Sequence, residues 1–303
     1  MNGRFFNTAL LHATAGRKAL WLFTAYVFGL WTFKMFVDPV HELANLPRGM
    51  VEPVGVLQLL PADWLSALLS VTGLWLLRTA AVAGCALSMI PRLIQWAGPL
   101  ACIALTLHQS LVRSFGIVQH SEIALLMAAY VLVLFAWYRW LGVGHSKKEF
   151  NPHAIPLFTI ALILTVAYAL VGTNRLIKGG LHVFTSDTLP NYILSRSLAT
   201  KYFEFGIGES VAEWPAVVLI GAKVGFFVTT IIEATAPLCL LSRYYRYLFL
   251  AVMIPFHIVT LLTMQISFHE NLLLYLVLID FSRWIPDKNQ VVDLSAWLEA
   301  SSA

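Results

Sequence analysis

The sequence predicts an all-α fold, a polytopic bundle of about eight transmembrane helices with both termini in the cytoplasm. Three observations predict it. Of the 303 residues, 59% are hydrophobic and only 12% are charged, against about 45–50% apolar and about 25% charged in ordinary soluble domains. The mean hydropathy of +0.75 is too high for a surface that faces water. Apolar runs close to the ~20 residues needed to cross a bilayer recur along the chain. Such a composition excludes a disordered chain, a disulfide-stapled secreted module and a nucleic-acid binder built on a basic face.

The spans are expected at residues 18–37, 64–90, 93–113, 121–141, 155–174, 214–241, 245–267 and 270–285. The first run follows Arg17 and Lys18 and has no A-x-A pattern after it. It is too long for a signal-peptide core, so it is expected to stay attached as the first span. With the N-terminus in the cytoplasm, about eleven Lys and Arg residues fall inside and about six outside, as the positive-inside rule requires. An even number of spans then returns the C-terminus to the cytoplasm, and a bacterial inner membrane is the expected location.

The whole chain, 1–303, reads as one integral membrane domain: a bundle over 18–285 and a short cytoplasmic tail over 286–303. Two outer loops, 38–63 and 173–213, are long. The first carries Asp38, Glu42, Glu52 and Asp63 against Arg48. The second holds Phe184, Tyr192, Ile193, Tyr202, Phe203 and Phe205, too apolar for a solvated loop, and is expected to pack as interfacial or re-entrant helices. Cys85, Cys102 and Cys239 lie in apolar runs without a C-x-x-C or Cys/His cluster, so they read as small core residues, and no metal site is encoded.

Ionisable side chains inside spans are costly and are functional candidates by default. Lys34 is close enough to the outer end of the first span to snorkel. Arg78, near the middle of the second, needs a carboxylate, and Glu233 is the candidate partner. Lys223 and Glu233 are ten residues apart, about 80° around a helix. They are expected to line adjacent parts of one cavity wall, with Thr229 and Thr230 continuing a polar strip. His257 stands in IPFHIVTLLTM and His120 opens the fourth span in QHSEIALL; each is either a packing residue or a proton carrier near neutral pH. Tyr168, Gly172 and Arg175 fall at i, i+4 and i+7 and share one helical face, with Lys178 one turn beyond. That face suits an anionic group such as a lipid phosphate or a carboxylate. Its plainer reading is a basic helix end among headgroups. No established metal or nucleophile signature occurs.

Four stretches resemble the transmembrane part of vitamin K-dependent gamma-carboxylase and its bacterial relatives, the HTTM proteins, which include SdpB-like toxin-maturation factors. They are LLPADWL, SLVRSFGIVQHSEIALL, AYALVGTNRLIKGG, and EATAPLCLL followed by FHIVTLLTMQISFHENLLLYLVL. The resemblance implies that His120 and His257 fall on family histidines and that a quinone-like cofactor is possible. It also aligns the carboxylase's catalytic lysine with Arg175. Arginine stays protonated in proteins and cannot serve as that base, which leaves Lys178 to substitute. The 303 residues lack the carboxylase's large extramembrane domain, so peptide gamma-carboxylation is not expected.

The first functional expectation is therefore a membrane enzyme or maturation factor acting on a lipid-soluble or membrane-delivered substrate, which a peptide could be. Its catalytic candidates are His120, His257, Glu233 and Lys178; Arg175, Tyr168, Lys223 and Arg78 are the substrate-binding candidates. The alternatives are a proton-coupled transporter or channel for a small organic anion, and a non-catalytic subunit whose polar groups hold helices together beside a membrane partner. Membrane lipid is an expected contact and nucleic acid is not. All these readings suppose that the titratable side chains converge on one internal chamber.

Overall fold

A computed structural model describes residues 11–12, 14–38, 40–115, 121–141, 151–199, 207–266 and 268–285. His120, Tyr202, Phe203, Phe205 and the tail lie outside the described residues. Every regular element among those described is helical. Among the described residues, six helices are long and apolar enough to cross a membrane, where eight spans were expected along the chain. The chain divides into two compact units, one over residues 12–160 and 280–303, the other over residues 1–11 and 161–279. The boundary between them falls inside one long helix, Ala154–Gly179.

The first unit holds α1 (Arg17–Val37), α2 (Ala62–Leu68), α3 (Val71–Ser88), α4 (Ile94–Ser114), α5 (Ser121–Trp140) and the start of α6 (Ala154–Gly179). Apolar length dictates α1, α3, α5 and α6, which are among the six candidate spans. Ser70 starts α3 as an N-cap, its hydroxyl accepting from the Gly73 amide at 3.0 Å and so satisfying one of the orphan donors at a helix start. It separates α2 from α3, where the sequence pattern had merged them into one span. Helix α4 is 21 residues long, about 31 Å, but Gln95, His108, Gln109, Ser110 and Arg113 make it more polar than the six. Its polar side turns inward, because His108, Gln109 and Ser110 are buried. Close packing of α3 on α4 depends on Gly84, where a Cβ would stand 2.9 Å from the backbone nitrogen of Ala101.

The stretch 38–63 contains short 3-10 turns at Val40–Asn45, Arg48–Met50 and Gly55–Leu59. It is tied to α4 by the Glu52 amide donating to the Ser114 carbonyl at 2.9 Å and the Val54 amide donating to the Ser114 hydroxyl at 3.1 Å. Residues 280–284 return to α1, where Phe281 stacks on Phe23 with ring centres 5.7 Å apart.

Just beyond α1, the Asp38 carboxylate lies 3.5 Å from Nε2 of His108. Burial alone would raise the Asp38 carboxyl, but the opposing pull of His108, Lys34 and Arg78 is greater and holds it below its ordinary value. A depressed carboxyl contributes stability above its unfolded value of about 3.9 and loses it as pH falls through the folded value. The thermal midpoint of the wild type is therefore expected to fall more steeply below about pH 4 than that of Asp38→Asn. Parallel pH profiles of the two proteins would refute this.

The second unit holds the rest of α6, α7 (His182–Thr185), α8 (Thr188–Ala199), α9 (Ala216–Ala234), α10 (Leu238–Leu241), α11 (Arg243–Met264) and α12 (His269–Leu274). The described part of loop 173–213 is helical, as the apolar content of that stretch requires: α7, α8 and a 3-10 turn at Ile207–Glu213. Leu189, Ile193, Val211 and Met264 form a small core beneath Leu194, Trp214 and Phe226. The expected span 214–241 breaks after α9, near Pro237, which cannot continue a helix without losing a hydrogen bond. The expected span 270–285 is not one helix, since α12 gives way to 3-10 turns at Tyr275–Leu278 and Phe281–Trp284. Even as a continuous helix its 16 residues would reach only about 24 Å, short of a ~30 Å hydrocarbon core.

Lipid contact follows from the outer surface of the long helices. Phe33, Leu170 and Val217 are 67–75% exposed, a surface that apolar solvent suits and water does not. All three cysteines are buried with free thiols.

Candidate functional site

Within the second unit, α6, α9, α11 and the α12 segment bring five polar side chains into contact. The shared face expected of α6 is real. At its middle the Tyr168 hydroxyl lies 3.0 Å from Nε2 of His257, one turn on Gly172 abuts α9, and beyond it the Arg175 guanidinium donates to the Glu233 carboxylate. A Cβ on Gly172 would meet the backbone nitrogen of Ala234 and stand 2.8 Å from Thr230 O and from Glu233 Cβ. The absence of a side chain there lets α6 and α9 approach closely enough for Arg175 to reach Glu233. Arg175 also lies over the Phe226 ring, 5.3 Å from its centre, a cation–π contact on the same helix as Glu233.

Helix α11 carries His257, which is 3% exposed. Its chain turns at Gln265, whose φ of +53° is the left-handed conformation that often closes helices. The returning segment supplies Tyr275, whose hydroxyl donates to Tyr168 at 2.6 Å and lies 2.9 Å from Nε2 of His257. Two tyrosine hydroxyls thus converge on one ring nitrogen. Phe249 packs edge-on against both tyrosine rings, and Phe268 lies 4.9 Å from the imidazole. The charges of Arg175 and Glu233 act on Tyr168, and that of Arg175 also acts on His257. The other imidazole nitrogen, Nδ1, is buried with no hydrogen-bond partner among the described residues, as is Oδ1 of Asn271.

The remaining candidates lie elsewhere. Arg78 does not pair with Glu233. It belongs to the first unit, where its Nε donates to Met35 O at 2.8 Å and its Nη2 to Phe36 O at 2.5 Å. Nη1 lies 3.3 Å from His41, and the guanidinium covers Trp75. The last carbonyls of a helix lack intrahelical partners and carry partial negative charge, so the end of α1 takes the place of the expected carboxylate. Lys34 does not snorkel; its Nζ sits 2.6 Å from Glu122, and both side chains are mostly buried.

Lys223 shares no cavity wall with Glu233, because its Nζ lies 3.5 Å from the exposed Asp187. Thr229 and Thr230 both donate back to Phe226 O, a local bond that removes them from any polar strip. Lys178 is exposed and forms no ion pair among the described residues. Among the described residues, Lys34 and Arg78 are bonded within the first unit, and Arg175, Glu233, Lys223 and His257 within the second. Among the described residues no three His, Cys, Asp or Glu side chains come together as metal ligands.

Sequence reasoning missed Tyr275 and Asn271. The available signal was HENLLLY, a polar cluster opening a run too short to span, with Asn271 and Tyr275 at i and i+4. The chain matches no protein-family model, no curated protein and no solved structure. The likeness to the carboxylase-related proteins rests on its motifs alone.

Proposed function

We propose that the chain is an HTTM-like membrane enzyme or maturation factor of a bacterial inner membrane, acting on a lipid-soluble or membrane-delivered substrate. The observation that carries this reading is His257: two tyrosines hold Nε2, while buried Nδ1 has no partner among the described residues. An unpartnered buried polar atom costs about 1–3 kcal/mol and calls for an explanation. A substrate hydroxyl, carbonyl or acid at Nδ1 supplies one.

When Nε2–H donates to a tyrosine oxygen, Nδ1 is a bare acceptor and can take a proton from substrate. Tyr168 and Tyr275 hold the ring in place at Nε2. Arginine does not act as a base in proteins, so the part of Arg175 is electrostatic: it pairs with Glu233 and offers positive charge to an anion forming nearby. Lys178 is the base candidate closest in sequence to that face. For the quinone-like cofactor implied by the resemblance, His257 Nδ1 would be the polar anchor, with Phe268 beside the imidazole. When bound the cofactor would supply redox chemistry that these side chains lack.

The test is His257→Ala together with His257→Asn. Both are expected to accumulate with an unchanged thermal midpoint and to lose cellular activity. They should also lose any lipid-soluble molecule that co-purifies with the wild type, read by mass spectrometry of an organic extract. Retention of that molecule and of activity, or collapse of both variants, would overturn the assignment. A second reading, a non-catalytic membrane subunit, is favoured by the paired state of Lys34, Arg78, Arg175 and Lys223. It predicts that the His257 variants keep cellular function.

A further inference from the structure

A cavity of about 290 Å³ lies within the first unit, lined by none of the residues of the candidate site. Arg17, Leu20 and Trp21 of α1, Gln95 of α4, and Leu132 and Arg139 of α5 are among the side chains lining it. Among the described residues no Asp or Glu lines it. The two arginines are near enough to feel each other's charge, and Arg139 Nη1 is also 3.3 Å from Nδ1 of His153. Cations thus gather at one end of the cavity, and aliphatic and aromatic walls form the rest.

The setting is that of a membrane–water interface. Trp21, Trp96, Trp137 and Trp140 are all exposed around this end, with Trp96 and Trp140 in edge contact at 5.3 Å. Two of the indoles are anchored by their N–H groups, Trp21 donating to Met89 O at 3.0 Å and Trp137 to Gln95 O at 2.6 Å. Tryptophans with an apolar body and a bound polar edge collect at headgroup level. Basic pockets between spans at that level suit lipid phosphates.

We infer that this cavity binds a phosphate group, that of an anionic membrane phospholipid, with Arg17 and Arg139 on the phosphate and Leu20 and Leu132 against the first acyl carbons. Arginine suits the role because its planar fork can give two parallel hydrogen bonds to phosphate oxygens. An anion between the two guanidiniums also offsets their mutual repulsion.

Native mass spectrometry of the detergent-purified protein, together with its thermal midpoint in vesicles, tests the inference. The wild type should carry phospholipid, and phosphatidylglycerol vesicles should raise its midpoint above that in phosphatidylcholine vesicles. Arg17→Gln with Arg139→Gln should lower retention by about tenfold or more, the scale of one lost charge-assisted bond. It should also abolish the phosphatidylglycerol effect while leaving the midpoint in phosphatidylcholine unchanged. Leu20→Trp, which fills the apolar end, should expel phospholipid with both arginines intact. Inorganic phosphate matching the phosphatidylglycerol effect, with Leu20→Trp silent, would assign the site to a soluble phosphate and overturn the lipid. Equal retention in the wild type and the double glutamine variant would overturn the site itself.

Discussion

Lys34→Met is expected to lower the unfolding free energy of the solubilised protein by about 3–5 kcal/mol, the range found when one member of a buried ion pair is removed. The reason lies in what is left behind. Glu122 is 4% exposed and its Oε1 is 2.6 Å from Lys34 Nζ. With the ammonium gone, the carboxylate keeps its desolvation cost and loses its counter-charge. The positive start of α5, in whose first turn Glu122 lies, offsets only about 0.3–1 kcal/mol of this. Glu122→Leu should cost less, because Lys34 keeps the pull of Asp38 and its longer side chain, 16% exposed, can swing toward the interface. The double variant should recover most of the stability, because a well-packed apolar pair often equals a buried ion pair. Reversible denaturation of all four proteins in one detergent gives the coupling energy directly. Additive losses would mean that the pair contributes nothing as a pair.

This pair also marks the limit of what the sequence could show. Composition and run length revealed the helical class and most of the long helices, because lipid-facing apolar surface is a property of each segment by itself. The shared face of Tyr168, Gly172 and Arg175 was legible for the same reason: helical periodicity is local. Partner choice is not local. Lys34 looked like a snorkelling residue because nothing in α1 indicates that Glu122 will face it. Arg78 seemed to need a carboxylate because the end of α1, with its unpaired carbonyls, comes near only in the fold. Glu233 had Arg78 as its expected partner and took Arg175 instead, since Gly172 lets α6 close on α9. Tyr275 was hidden inside an apolar run read as a span, and only the break into 3-10 turns brings its hydroxyl back to His257.

The glycine behind that closure should give the other large effect. Gly172→Ala is expected to cost about 1–3 kcal/mol, and Gly172→Leu more, as overpacking at a filled interface does. Ordinary helix propensity predicts the opposite sign, because alanine stabilises a helix interior by about 1 kcal/mol over glycine. The new Cβ has no room: Thr230 O and Glu233 Cβ lie 2.8 Å from its position, and the Ala234 amide nitrogen is nearer still. Two of these three are backbone atoms, so no rotamer change can relieve the contact, and α6 must move away from α9. Gly221, on α9 with nothing within 4 Å of its Cβ position, is the control. Gly221→Ala should be neutral or stabilising by about 0.5–1 kcal/mol. Separation of α6 from α9 also pulls Arg175 off Glu233, so Gly172→Ala should depress activity beyond its effect on folding, whereas Gly221→Ala leaves activity intact. If the two alanine variants proved equally stable and equally active, close approach at Gly172 would no longer explain how Arg175 and Glu233 meet.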